Sequence, residues 1–319
     1  MTLLLAAVLA CYTAGALLPL CLPGRPRFQN FLAHGLAGAA GLLGIALGAA
    51  GLVASEPLTA SIASTIPYLS FAIRLDPLAA FFVLTISLVG LAASIYAFGY
   101  VTEFYGRCSL GALGSLFNGF LLSMTLVVMA DNGFFFLIAW ELMSLLSYFL
   151  VVTEHEKAEV RYAGFFYLIM THVGTAFIIL TFLIFFQNTG SFSFDVFRHP
   201  NTPLPQGLRT FAFFAALIGF GTKAGIVPLH VWLPYAHPAA PSHISALMSG
   251  VMIKTAIYAL VRVYFDFLGG QFPWWWGFII LVIGAVSALL GVMYALMEHD
   301  LKSLLAFHSV ENIGIILMG

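Results

Sequence analysis

The sequence predicts an all-α protein that crosses a lipid bilayer about ten times, and three observations carry that expectation. Of the 319 residues, 61% are hydrophobic and 8% are charged, against about 25% charged in soluble domains. The mean hydropathy is +1.02. The apolar runs are long and continuous, whereas membrane barrels alternate apolar and polar residues over roughly ten positions. Helices are then the way to satisfy backbone groups in lipid.

At about 20 apolar residues per span, the chain divides into ten segments. The first two are Leu3–Leu22 and Phe31–Val53, joined by a short turn carrying Arg25 and Arg27. The opening MTLLLAAVLACYTAGALLPLCL lacks a basic leader and is long enough to span, so it reads as a retained helix rather than a cleaved signal. A polar stretch with Glu56, Pro57, Pro67, Arg74 and Asp76 follows, its centre expected along the membrane surface. Next come Pro77–Val101, Leu113–Ala130 and Gly133–Thr153, then EHEKAEVR (154–161), the densest charge run. Ala163–Phe186, a polar loop to Gly207, Leu208–Pro228, Ile244–Phe265, Trp274–Ala295 and a last segment from Lys302 complete the order.

Loop charge orients the chain. With the N-terminus outside, the inner loops hold Arg25, Arg27, Arg107, Lys157, Arg161 and Lys302, and the outer side Arg74, Arg198, Arg209 and Arg262, six against four. Trp274, Trp275 and Trp276 fit an interfacial aromatic belt. The last segment reaches Gly319 without anchoring residues, so a longer parent chain is expected.

Several chemistries are excluded. The net charge of −1, with no basic patch, offers nothing to nucleic acid. Cys11, Cys21 and Cys108 are isolated, with no CxxC or Cys/His spacing for zinc or iron–sulfur. Phosphate loops, GxSxG, HExxH and dinucleotide fingerprints are all missing from the sequence. Movement of protons or cations is what the remaining polar residues can do.

Those residues lie where charge is costly in a bilayer and persists mainly for function. Glu141 sits about nine residues into its segment, near mid-membrane at 1.5 Å per residue. It reads as a proton-carrying acid tuned by a nearby cation, or more plainly as a hydrogen-bonded structural Glu. Lys223 lies between Gly221 and Gly225, five residues before Pro228. Proline breaks a helix, and the freed carbonyls call for water or polar side chains. A lysine there is placed in a hydrated cavity, where burial disfavours its charge and a carboxylate restores it; snorkelling is the plainer alternative. Lys254 is again mid-helix, with Ser249 and Gly250 one turn before it allowing close packing or a water. His230 and His237 flank Pro228 and Pro234, and His172 is mid-segment; each is placed either to relay protons or simply to pack. His308 and Glu311, three apart on one face, either extend a polar line or pair with each other. His155, His199 and His299 read as solvated loop residues.

Glu141 in AWELMSLLSYFLV, Lys223 in GTKAGIVPLHVWLPYAHPAAPSHISALMSG and Lys254 in MIKTAIY resemble the antiporter-like, proton-translocating subunits of respiratory complex I, multisubunit Mrp cation/proton antiporters and membrane-bound [NiFe] hydrogenases. The resemblance runs from about Asp76 to Gly319. HPAAPSHISALMSGVMIK and HDLKSLLAFHSVENIGI are most similar to the large antiporter-like subunits of hydrogenase-4 and formate hydrogenlyase complexes. It implies inverted five-helix repeats, each with a broken helix: residues 1-112 as three preceding helices, 113-266 as the first repeat with helix seven broken at Lys223, and 267-319 as the start of an incomplete second. It also implies a Glu141–Lys223 pair, a link from Lys254 toward a central hydrophilic axis, and Lys302 at a basic position of a DLKR-like motif.

The resulting expectation is a multi-pass subunit of the cell inner membrane. It would carry protons by Glu141, Lys223, Lys254, His230, His237, His172, His308, Glu311 and Lys302 inside a redox-driven complex. The chain itself would be non-catalytic and hold no cofactor or metal; nickel–iron and iron–sulfur centres would reside in partner subunits, membrane and peripheral. The alternatives are a sodium/proton antiporter subunit of the Mrp type and a non-transporting scaffold for a hydrogenase. A quinone-binding subunit has no motif in its favour.

Overall fold

The computed structural model describes residues 1–270 and 272–319 and consists almost wholly of helices. In chain order they are α1 (Thr2–Leu17), α2 (Pro26–Val53), α3 (Pro77–Tyr100), α4 (Leu110–Met129), α5 (Gly133–Val151), α6 (Ala158–Thr189), α7 (Phe194–Arg198), α8 (Gln206–Ala224), α9 (Leu233–Ala239), α10 (Ser242–Leu247), α11 (Ile253–Val261), α12 (Trp274–Met297) and α13 (Leu301–Met318). Joined with short 3₁₀ and π segments, the described residues provide ten helices long and apolar enough to cross a membrane. Their bounds follow the expected segments closely. The seventh differs: it continues past Pro228 and runs over Gln206–Ala239 as an interrupted helix.

Sequence-local chemistry starts several spans. Asp76 Oδ1 accepts from Ala79 N–H at 2.9 Å, Asn132 Oδ1 from Phe134 and Phe135 at 3.0 Å each, and Asp300 Oδ2 from Ser303 at 2.8 Å, the arrangement of helix N-caps. The Ser303 N–H holds the exposed Asp300 carboxyl below the usual carboxylate range.

The polar stretch before the third span folds into a hairpin, which was not expected from the sequence. Strands β1 (Leu58–Ala63) and β2 (Ser70–Leu75) pair antiparallel, with Leu58 opposite Leu75. The hairpin is seated on the α4–α5 turn: Asp131 N–H donates to Ala72 O at 2.8 Å and Asn132 Nδ2 to Tyr68 O at 3.2 Å.

Contacts divide the chain into two compact units, residues 1–153 with 240–252, and residues 154–239 with 253–319. The boundary passes between Met252 and Ile253, inside the eighth span. These units are defined by packing, whereas the five-helix repeats expected from the resemblance are defined by symmetry.

In the first unit, α2 and α3 pack along a face of small residues. Gly41, Gly44, Gly48 and Gly51 recur at three- and four-residue intervals, and a Cβ on Gly48 would stand 2.8 Å from both the Cβ and the backbone nitrogen of Leu84. Such faces let helix backbones approach closely where burial from water supplies no drive. In the second unit, α6, α8 and α11 pack together, and α12 pairs with α13. Trp276 departs from the expected interfacial belt: it is 1% exposed and stacks on Phe213 with ring centroids 4.4 Å apart, while Trp274 stays exposed. Beyond α11, Arg262 Nη1 pairs with Asp266 at 2.6 Å and Arg198 Nε approaches the same carboxylate at 3.9 Å.

The glycine face gives a stability prediction. Gly48→Ala is expected to cost about 1–3 kcal/mol by overpacking. Gly35→Ala, whose new Cβ would meet only Phe98 at 4.0 Å, is expected to leave stability near that of the native protein. Thermal unfolding of the purified proteins in detergent checks both.

Candidate functional site

The break in the seventh span is made by glycine as much as by proline. Helix α8 ends at Gly225, which adopts φ +77°, a conformation cheap only for glycine. Its N–H returns to Gly221 O at 2.9 Å and that of Ile226 to the same carbonyl at 3.1 Å, closing the helix end. A Cβ on Gly225 would collide with Leu233. Pro228 comes after this end, and a 3₁₀ turn over Leu229–Trp232 leads into α9. Groups left over by the break find partners within the unit. Val227 N–H donates to Ser287 Oγ on α12 at 3.0 Å, and Thr222 O accepts from Trp232 Nε1 at 2.8 Å. This is how irregular backbone is accommodated at membrane depth.

Lys223 sits in the last turn of α8, two residues before Gly225, and is 2% exposed. Its Nζ donates to the Tyr167 hydroxyl on α6 at 2.8 Å and lies 4.9 Å from the centre of that ring. A buried ammonium is tolerable only with such partners, and the ring face adds cation–π attraction. The Tyr167 ring lies 4.9 Å from that of Trp232, which is 6.4 Å from the His237 ring. His237 is 2% exposed on α9. The ammonium groups of Lys254 and Lys302 both act electrostatically on it, and Lys302 Nζ donates to the neighbouring Pro238 O at 3.3 Å. Lys223, Tyr167, Trp232 and His237 thus form one buried polar-aromatic line, with two further lysines in electrostatic range of its end.

The other candidates fall out as follows. Lys254 is half-buried and lies two residues after the end of a π-helical stretch over Met248–Met252, a wide turn frequent at functional sites. The expected close approach at Gly250 is present, a Cβ there standing 3.2 Å from Val89. Glu141 lies on α5 in the first unit, half-buried, with Oε1 shielded from solvent. His230 is half-buried, with a buried Nδ1 that has no hydrogen-bond partner. His308 and Glu311 take the second of the two readings offered above: Nδ1 and Oε2 are 2.5 Å apart on α13. His172 is exposed on α6 with Nδ1 at 2.9 Å from Leu168 O, so the structure does not bring it to Lys223. Tyr167 points inward on the same helix, and His172, five residues on, lies about 140° around at 3.6 residues per turn. His155, His199 and His299 are exposed as expected.

A cavity of about 1150 Å³ opens beside this line. His230, Tyr235 and Pro238 form one wall, Tyr162 and Phe166 of α6 another, and Glu154, Lys157, Glu159 and Glu298 stand among its lining residues. It gives His230 a way to solvent. Tyr167, Trp232 and Ser287 were not singled out from sequence. Each meets its partner across 10 to 60 residues of chain, and only the hydroxyl or indole in an apolar helix hints at a role. Among the described residues no group of three or more His, Cys, Asp or Glu is gathered to hold a metal.

A polytopic helical protein with a lysine buried at a broken helix is the class these features define. The chain belongs to the family described as "NADH:quinone oxidoreductase/Mrp antiporter, TM", whose pattern its residues 130–319 match. It is 44% identical over 279 residues to hydrogenase-4 component B of Escherichia coli (strain K12), an alignment covering 87% of this chain and 41% of that protein. It is 30% identical over 292 residues to formate hydrogenlyase subunit 3 of the same strain, covering 92% of this chain and 46% of the relative. The chain therefore spans less than half the length of either relative. A subunit of the archaeal membrane-bound sulfane sulfur reductase, a respiratory membrane complex, shares the fold with a TM-score of 0.84 at 18% identity, covering 99% of this chain and 63% of that one.

Burial separates the four lysines. An amine-reactive reagent applied to the protein in lipid vesicles opened to both faces is expected to modify exposed Lys157 and spare Lys223. Peptide mass spectrometry reads the ratio, and equal modification of the two would contradict the site as described.

Proposed function

We propose that this chain is a proton-carrying membrane subunit of a redox-driven, multisubunit complex of the hydrogenase type. The observation that carries the proposal is the Lys223 ammonium buried at the broken helix on Tyr167, in line with His237. A scaffold would place leucine there at far lower cost. The naming of the relatives as a hydrogenase component and a formate hydrogenlyase subunit supports a place among other subunits, which would hold the nickel–iron and iron–sulfur centres. A cell inner-membrane location with the N-terminus outside, and residues 113-266 as the first five-helix repeat with 267-319 opening the second, belong to the same proposal.

In this account water in the cavity beside His230 brings protons to the line. Lys223 takes a proton and releases it when the charge balance around it changes; Glu141 is the carboxylate assigned to set that balance. The phenol of Tyr167 both accepts from the ammonium and can donate onward, so it is the first atom through which a proton leaves. His237, Lys254 and Lys302 stand next to receive it, and the charge of the two lysines disfavours a lasting proton on His237, so that it passes onward. No chemical bond other than to hydrogen is made or broken.

The test uses the complete complex in proteoliposomes, with electron transfer driven from outside and lumenal pH read by a dye. Lys223→Met and Glu141→Gln are each expected to lower proton movement to below about a tenth, in keeping with the effect of removing a proton-transfer group, while Glu56→Gln, at an exposed position, leaves it at the native rate. Native proton movement in Lys223→Met would sink the proposal. The family also covers Mrp antiporters, so the same assay is run with sodium replaced by choline. An unchanged rate supports the proton reading; loss of transport assigns the chain to sodium/proton exchange.

A further inference from the structure

The first unit contains a second set of buried ionisable groups, which the line through Lys223 does not use. His34 on α2 and His243 on α10 are each 1% exposed, and their rings lie 5.9 Å apart, perpendicular. Counting from Pro26, His34 is about 12 Å into its helix. Phe117 of α4 touches both imidazoles, at 4.9 Å and 5.5 Å, and Tyr100 lies 5.5 Å from His243. Ring faces at such distances attract a cation. His34 Nδ1 is buried with no hydrogen-bond partner, an arrangement that costs free energy and that a purely apolar filler would avoid.

A polar track leads from this pair to the membrane surface. Asn30, one turn before His34, donates from Nδ2 to Tyr105 Oη at 3.1 Å and to Phe98 O at 3.1 Å. Tyr105 stands half-buried just beyond the end of α3. On the other side, the Tyr100 hydroxyl accepts from Ser242 N–H at 3.2 Å, next to His243. Buried oxygens of Asn30, Asn118 and Tyr12 on α2, α4 and α1 also have no partner, so this region offers several sites for bound water.

We propose that His34 and His243 form a buried proton-holding pair, a second proton site of the chain held within the first unit. The titratable groups on the packed elements include Cys11 and Tyr12 of α1, Tyr96 and Tyr100 of α3, and Tyr105 beyond it. Helix α4 has none, and Arg25, Arg27, Glu103 and Arg107 stand exposed at the helix ends. A proton entering along Tyr105 and Asn30 is therefore not neutralised by a buried carboxylate, and the two imidazoles compete for it: one holds it while the other stays neutral. Its use in transport rests on the proton-carrying function proposed above; the existence of the site does not.

The experiment is nitrogen NMR of the full-length protein in lipid, with all nine histidines isotope-labelled. Besides the exposed histidines, the pair is expected to give an imidazole titration within the range from about pH 3 to 8. His34→Gln should abolish one component and displace the other by about one pH unit or more, and His243→Gln should do the converse, because the sites are coupled. His34→Phe, which keeps a ring against Phe117, is the second variant should glutamine disturb folding. Neutral signals for both rings throughout the range in the native protein would overturn the proposal. So would a titration of one ring that ignores loss of the other. Lys223→Met is expected to leave the titration unchanged, so a failed Lys223 mechanism and a failed histidine pair give different results.

Discussion

One buried ammonium sets the demands on the second unit. Lys223 is held in the apolar interior in part by a tyrosine hydroxyl that meets it at 2.8 Å, and the helix that carries it stops two residues later. That stop releases backbone groups, and these in turn require Ser287 from α12 and the indole of Trp232. Gly225 is needed for the helix end, both for its positive φ and because Leu233 packs where a Cβ would stand. The charge, the break and the hydrogen bonds around it are thus one arrangement, in which removing any member leaves a polar group unsatisfied in a medium without water.

The first unit is built on a different constraint. Its α2–α3 contact depends on glycines that permit backbone approach, and its hairpin is tied to the α4–α5 turn by one side-chain and one backbone hydrogen bond. Within this packing the His34 and His243 rings lie against each other and against Phe98, Phe117 and Tyr100. In both units many buried hydroxyls turn back onto a carbonyl of their own helix, as Ser94 does to Gly90 O and Thr181 to Phe177 O, while a smaller set, including Tyr167 and Ser287, meets a polar group of another helix.

Much of this was legible in the chain. The bilayer forces spans to be apolar and about 20 residues long, so run length alone located ten helices. The positions of Glu141, Lys223 and Lys254 stood out for the same reason, since charge is conspicuous there. The failures share a cause too. Partners such as Tyr167 and Ser287 are defined by tertiary packing between helices distant in sequence. The β-hairpin was missed because its strands are six residues each and polar enough to read as loop. The break was assigned to Pro228, although Gly225 in GTKAGIVP carries the left-handed turn; a glycine at a helix end was the available signal. His172 was placed by depth alone, and the helical angle sets it about 140° around from Tyr167. The π-helical stretch before Lys254 leaves no mark in the residue pattern.

The central claim is that Lys223 gives up a proton, beyond supplying a fixed positive charge. Arginine separates the two, since a guanidinium keeps its charge and its donors but does not deprotonate in proteins. The decisive measurement is the proton flux of the complete complex carrying Lys223→Arg, compared at equal assembly and equal electron-transfer rate. The account predicts that flux is lost although the charge is retained. Flux at the native rate would contradict it and reduce Lys223 to a structural cation.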